Sequence, residues 1–519
     1  MIIHAVVITS LLLFTPIAAS AISDQHKESV LSWANGHGDI QILEDTIKHL
    51  VDEDLIHVNT DTIHVRSNIP SWIATAAQSW GDGTITDGQF HLVLEYLANT
   101  GILISDISQS TNGAIVIVAQ ESSKNGEHQV DHHGEPVMGI GHPGVAIDGD
   151  TDTIYLTYGQ RLDHKVQIYL TASRDGGNTW SSPIQVSTGE NVVMPHANPA
   201  YVELGPDGKI YILYQNKLAN ESWIDAGFTF GFTTLHLVVS DDGGQTFLPP
   251  SLVYPATGPD NPRDVVRSKN FDSITVDDSG RVYITWLESQ GQIDGKWPPT
   301  TVRSTFTDDD GATWADAQTV KSTVCECCAT STSATSDGAV YVLFRDILDN
   351  PDGGLTFRDL SMSGSDDGTS WSSAQRISDD RFEIDSCPHS TSTIAVDGQD
   401  NIHAAWWTLG GEMPGTYYSV TGDGGQTWQK PTLLEGNDWY PATQVKISID
   451  ANDRPVIIWN DRSTEHRTVK YAVLEDDGPV NVRSLGVGDG PWSDSNDGIT
   501  ALAWSSNGKI FFKSWHDSL

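Results

Sequence analysis

Positive charge is scarce in this chain. Its 519 residues carry 29 Lys and Arg against 69 Asp and Glu, a formal net charge of −40. Such a field repels phosphate backbones and anionic lipid surfaces, so no nucleic-acid partner is expected. Long apolar runs are missing after the N-terminus, which leaves no later segment able to span a bilayer. No Lys or Arg precedes the one early apolar stretch, Val6 to Ile17, which ends in the small residues Ala19-Ser20-Ala21. That ending is a secretory cleavage site, so residues 1–21 read as a signal peptide and the mature chain as secreted or held at the cell envelope; an uncleaved anchor is the alternative. Cysteine is limited to four residues. What is plentiful is core material: 38% hydrophobic residues and 17 Trp, enough for two domains or one large repeat fold. The acidity itself reads as solubility outside the cell, spread over surface loops, ahead of a dedicated cation-binding surface.

Two repeats organise the sequence. Ser32-Trp33 and Ser79-Trp80 each open a stretch of 25 residues that align without gaps, pairing Leu43 with Phe90, Ile47 with Leu94 and Leu50 with Leu97. Offsets of three and four predict amphipathic helices, so residues 22–104 read as two small helical modules. Asp82 to Gly88 has the look of a calcium loop without the acidic twelfth position, and reads as a helix cap. The second repeat is longer. Ser/Thr-x-Asp-x-Gly-x-Thr-Trp occurs as Ser173–Trp180, Ser240–Phe247, Thr307–Trp314, a looser Gly364–Trp371, and Thr421–Trp428. Its aspartates, Asp175, Asp242, Asp309, Asp366 and Asp423, lie 67, 67, 57 and 57 residues apart, the interval of a four-stranded sheet with its loops. Each copy sits between strand-like runs and reads as a hairpin turn: the Asp accepts bonds from the turn's amides, the Gly supplies positive φ, and the Trp packs the turn onto its blade.

This phrase resembles the Asp-box, or BNR repeat, of the sialidase superfamily, over roughly residues 105 to 519. The resemblance implies a β-propeller and, by analogy, a glycoside hydrolase of exo-sialidase type acting on or binding glycans. The segment Ile69-Pro-Ser-Trp72 through Ile104 is similar to a helical module appended to many secreted archaeal proteins, which implies no catalytic residues.

The expected architecture is therefore an all-β propeller of six or seven four-stranded blades over residues 105–519, preceded by a small α-helical region. Six complete units are legible. Seven blades are preferred, because the strand Ala114 to Gln120 and the C-terminal pair Ile499–Trp504 and Lys509–Trp515 lack partners and would close the ring together, removing the sheet edge.

In a propeller the residues just before the innermost strands converge at one rim. Read there, the chain offers His142, Met194, His196, Asp272, Cys325, Cys327, Cys328, Cys387, His389, Tyr440 and Asp497. Two readings of the four cysteines stand side by side, with free thiols as a third. One is two disulfides, with Cys387 bridging to the neighbouring blade; the other is a copper or zinc site built from His142, His196, Cys325, Cys327, Cys328, Cys387 and His389. The loop residues His132, His133 and Glu135 are near enough in sequence to join such a site. For hydrolysis, the superfamily implies three arginines on the substrate carboxylate, a Tyr nucleophile and an Asp acid. Its Arg-Ile-Pro motif is missing here. The candidates are Arg345 for cationic binding, with Arg263, Arg267 and Arg358 as further cations, Tyr440 as nucleophile, and Asp272, Asp385 and Asp497 as acids. The expected partner is a glycan or small-molecule substrate, and the expected state a monomer. The alternatives to an enzyme are a metal-binding propeller or a non-catalytic cell-envelope scaffold.

Overall fold

The fold is taken from a computed structural model. It describes residues 71–82, isolated positions elsewhere among the first 110, residues 115–120, and residues 139–517 apart from 163–164, 190, 194–199, 219–231, 255–266, 291–297, 386–389, 437–443, 463–466 and 476–479. The chain divides into two compact units, Met1–Ser110 and Thr111–Leu519.

In the first unit the described helix is Ser71–Gly81, and the indole of Trp80 near its end stacks on Phe90 at 4.3 Å. Asp82 follows the helix and accepts the Thr84 N–H at 2.9 Å, a local capping bond. His64–Val65 and Leu103–Ile104 pair as a short antiparallel ladder. Most of the earlier helical repeat lies outside the described residues.

The second unit is a propeller of seven four-stranded antiparallel sheets. The innermost strands of blades 1 to 7 are Ile140–Asp148, Tyr201–Leu204, Arg267–Val276, Ser331–Ala334, Ser392–Val396, Val445–Ile449 and Asp489–Asn496. Blade 7 takes its inner three strands from the C-terminus and its outermost, Val116–Gln120, from the other end of the unit, paired to Lys509–His516. This is the closure the unpartnered strands predicted. One element differs from expectation: the inner strand of blade 7 is Asp489–Asn496, not the run from Ile499. Gly490, Pro491 and a register shift between Asp489 and Trp492 disguise it as a loop.

Each blade packs both faces against its neighbours, so second strands such as Ile402–Thr408 and Pro455–Asp461 are buried at every position and lose the alternation of a half-exposed strand. The interior is filled by their large residues, Trp286, Trp406, Trp407, Trp459 and Trp504 among them.

At every junction at least one hydrogen bond ties neighbouring blades near the axis. Thr157 Oγ1 donates to Ala200 O, Tyr201 OH to Asp272 O, and Thr330 N to Phe271 O. Ile394 N donates to Ser331 Oγ, Val445 N to Thr391 Oγ1, and Ile147 N to Asp494 Oδ2, while the Ser448 and Ser495 hydroxyls share a bond at 2.9 Å.

The Asp-boxes complete the locking. In the first, Asp175 accepts the Thr179 N–H at 2.8 Å and its hydroxyl at 2.6 Å, and Ser173 Oγ receives the Gly177 N–H at 2.8 Å. The turn is held by its own side chains, as its composition predicted. Its glycine does more than supply positive φ. A Cβ on Gly177 would lie 2.2 Å from Phe512 of blade 7, and one on Gly425 2.4 Å from Met362 of blade 4, so the box closes onto the preceding blade rather than only its own. Trp180 likewise meets Phe512 edge-on at 4.9 Å. In the looser fourth copy Asp367, not Asp366, makes the turn's bonds, accepting from Thr369 and Ser370.

Candidate functional site at the axial mouth

Inner strands begin, and second strands end, on one face of the ring. At its centre is a recess lined by His142, Pro143, Thr391, Gln444, Lys446, Gly490, Pro491 and Trp492, drawn from blades 1, 5, 6 and 7. The turn-like sequence Gly141-His142-Pro143 enters blade 1 through a bulge in which His142 takes φ 54°, turning its side chain beside Gly490.

The recess has a floor. Lys446 Nζ stands 3.6 Å from the centroid of the Trp492 indole and 5.2 Å from that of Tyr201, and these two rings meet edge-on at 5.1 Å from blades 7 and 2. Beyond them lie three carboxyl groups, of which Glu203 and Asp272 face the same ammonium and Asp494 faces Glu203. Asp272 is 1% exposed and accepts a hydrogen bond from Gln215 Nε2. Glu203 and Asp494 project from the inner strands of blades 2 and 7. Protein surrounds both, though each keeps a partial opening to the channel.

Loss of water governs the protonation of this cluster. Burial pulls the Lys446 ammonium down to about 7, with Glu203 and Asp272 only partly restoring it. Burial, reinforced by Asp494, pushes Glu203 up to about 8 against the pull of Lys446. Asp272 and Asp494 are each pushed up to about 6, opposed by the Gln215 side chain and the Ile147 N–H respectively. The Tyr201 hydroxyl is driven well above its ordinary value by burial and then by the charge of Asp272. One cation therefore shares a largely enclosed axis with three acids that hold their protons unusually long.

The sequence-derived candidates scatter over this face and beyond it. His142 lines the mouth, and Asp272 lies beneath it. Arg345 is 1% exposed and spent on structure: Nη1 donates to Arg358 O at 2.7 Å, and Nη2 to Ser390 Oγ at 3.2 Å and Trp407 O at 3.0 Å, clamping blade 4 to blade 5. Arg358 Nη1 faces Glu326 at 3.7 Å. Asp497 occupies the turn after the inner strand of blade 7, at φ 44° and exposed, so the structure sets it at the opposite end from the mouth. Asp385 is also exposed. Tyr440, His196, Cys387, His389, Met194, Arg263, His132, His133 and Glu135 lie outside the described residues. The residues that sequence reasoning passed over are Lys446, Trp492, Tyr201 and Glu203, while Asp494 was read only as the start of the rim segment Asp494-Ser-Asn-Asp497. Their signal was a charge or large ring at an inward position of an inner strand, as in Tyr-Val-Glu-Leu and Val-Lys-Ile-Ser-Ile.

Near Thr391 the rim holds the cysteine segment. Cys325 N donates to Arg345 O, tying the segment to the second strand of blade 4. Cys325 Sγ is 3.6 Å from Cys327 Sγ and 3.9 Å from Cys328 Sγ, all three residues being buried. Cys327 is disulfide-bonded, to a partner outside the described residues, whereas Cys325 and Cys328 are free thiols. The expected metal set is not favoured by this geometry. A sulfur held in a disulfide is no thiolate ligand, His142 is not part of the sulfur cluster, and the guanidinium groups of Arg345 and Arg358 put positive charge beside the sulfurs.

Residues 160–396 match the sequence profile of the family described as BNR repeat-like domain. The chain matches no curated protein. Among solved structures the chain is similar to a protein of unknown function from Dyadobacter fermentans, at 12% identity over 78% of this chain and 98% of that one, with a TM-score of 0.44. It is similar to the α-L-arabinanase of Penicillium chrysogenum complexed with arabinobiose, at 11% identity over 79% and 99%, with a TM-score of 0.45. A Hadza microbial sialidase aligns at 12% identity over 68% and 73%, with a TM-score of 0.41.

Proposed function

We propose that this protein acts on glycans at the axial mouth, taking the end of a sugar chain in the manner of an exo-acting glycoside hydrolase. The observation that carries the reading is the closed floor: Trp492, Tyr201 and Lys446 meet across the axis, so the recess is a dead end lined by a ring, an ammonium and the polar groups of Gln444, Thr391 and His142. A dead end admits a terminus rather than the middle of a polymer. An aromatic face with a few convergent polar groups is the chemistry that stacks on a pyranose and fixes its hydroxyls. The BNR repeat-like match supports the same class.

The proposed roles follow from position. Lys446 and Trp492 bind the terminal sugar, and Tyr440, four residues before Gln444 in the chain, is retained as the nucleophile. Asp272, closed off by Gln215, positions Lys446 and does not touch substrate. Action outside the cell is proposed with it, on the strength of the Val6 to Ile17 stretch and the acidic composition. Incubation with a panel of natural oligosaccharides, read by release of monosaccharide, tests the proposal. Release from chain ends, abolished in Tyr440→Phe and weakened in Trp492→Ala, is expected. No release across the panel, together with no binding on a glycan array, would overturn it.

A further inference from the structure

The free thiols at the entrance to blade 4 take no part in the sugar site. They form a Cys325-x-x-Cys328 pair whose sulfurs lie 3.9 Å apart, and both residues are 1% exposed. The surroundings are electropositive. The Arg345 guanidinium and the Ser390 N–H both reach Cys328, and Arg358 also faces Cys325. Arg345 Nε, buried, has no hydrogen-bond partner among the described residues. Cationic donors around one thiol of such a pair are what select a thiolate in place of a thiol. We propose that Cys325 and Cys328 are a peroxide-reactive dithiol, with Cys328 as the attacking thiolate and Cys325 as the thiol that resolves it to a disulfide.

The two sulfurs are unequal in the required sense. Burial works to raise the Cys328 thiol, but the bond from Cys325, the charge of Arg345 and the Ser390 N–H outweigh it and bring it down to about 6. Cys325, whose proton is held by Cys328 and by burial, is pushed far up. The Cys328 thiolate attacks one peroxide oxygen and the O–O bond breaks; the sulfur becomes a sulfenic acid and the second oxygen leaves as hydroxide. The Cys325 thiol then attacks the Cys328 sulfur. An S–S bond forms, the S–O bond breaks, and water leaves carrying the Cys325 proton. Two thiols and one hydrogen peroxide thus give one disulfide and two waters. Burial narrows the co-reactant class, because with both cysteines 1% exposed a tripeptide disulfide is shut out and an oxidant as small as a peroxide is required. The Cys327 disulfide, already oxidised, stays as it is.

The test treats the unreduced full-length protein with stoichiometric hydrogen peroxide. Free thiols are counted by alkylation after denaturation, and disulfides are mapped by peptide mass spectrometry. The expected result is loss of both free thiols and a new link between Cys325 and Cys328, with oxidised glutathione leaving the pair unchanged over the same time. In Cys325→Ser the reaction is expected to stop at a sulfenic acid on Cys328, trapped by a 1,3-dione reagent. Thiols that survive excess peroxide, a new link to any other cysteine, oxidation by glutathione disulfide as fast as by peroxide, or a metal ion bound to these sulfurs as purified would each overturn the proposal. The mapping on unaltered protein requires no variant to fold.

Discussion

The ammonium of Lys446 rests 3.6 Å from the centroid of the Trp492 indole, and the two residues belong to adjacent blades that meet at the floor of the mouth. Because burial holds Lys446 near 7, its charge titrates in the range where a sugar site would operate. Affinity for a ligand that uses this charge should fall as pH rises through about 7. Trp492→Ala should weaken binding about tenfold, or about 1.4 kcal/mol, at every pH. Calorimetric titration at pH 6 and pH 8 with a glycan identified by array separates the two effects, and equal affinities at both pH values would show that Lys446 does not contact the ligand.

Glu203 makes the axis sensitive to pH in stability as well. Between the ordinary glutamate value of 4.5 and about 8 the unfolded chain has lost this proton and the native protein keeps it. The native state binds more protons there, so the Glu203 contribution falls as pH rises across that window. Lys446 acts in the opposite sense between about 7 and its ordinary 10.5, where the native protein has already released a proton that the unfolded chain still holds. Glu203→Gln should therefore match the parent near pH 5 and exceed it by about 1–2 kcal/mol near pH 8. Urea unfolding at the two pH values reads this directly, and a constant difference would disprove the linkage.

The contact between Gly177 and Phe512 offers a third measurement. Gly177→Ala forces a Cβ into the Phe512 ring at a backbone φ of +88°, whereas Phe512→Ala opens a cavity beneath Trp180. Each should cost about 3–5 kcal/mol. Combined, they should cost less than their sum, since the smaller side chain leaves room for the added methyl group. Strict additivity in a double-mutant cycle would mean that the box does not press on the preceding blade.

Arg345 holds blades 4 and 5 through bonds to two backbone carbonyls and one hydroxyl. Arg345→Met should cost about 3–5 kcal/mol, because those acceptors lose a buried charged donor. Thermal unfolding followed by Trp fluorescence checks the value. A loss below 1 kcal/mol would show the clamp to be incidental.

Much of the ring was legible because its signals are local. An Asp-box writes its own turn, with Asp, Gly and Thr at fixed offsets bonding to one another, so five copies with regular spacing announced the blades. The closure was legible from the strands left without partners at both ends of the unit. Two elements misled through local chemistry. Asp494-Ser-Asn-Asp497 has turn composition, which moved the inner strand of blade 7 downstream and put Asp497 among the mouth candidates. The doubled Asp366-Asp367 hid which carboxylate closes the fourth box. The axial cluster was illegible for a different reason. Glu203, Asp272, Lys446 and Asp494 acquire their meaning only when four distant blades enclose them, and no spacing along the chain encodes that. The cysteine segment lay between these cases: its Cys-x-x-Cys spacing was visible, but the inequality of the two thiols comes first from the hydrogen bond between them and then from the Arg345 side chain bonded to Cys328.

The outermost strand of blade 7 has its own temporal consequence. Val116–Gln120 leaves the ribosome early, while its ladder partner, Lys509–His516, is among the last segments synthesised. For most of translation it is an open edge awaiting a mate roughly four hundred positions away, so blades 1 to 6 can assemble as an arc well before the circle shuts. A ribosome stalled short of residue 509 would carry that arc with both ends exposed, a form inclined to pair with a second nascent chain.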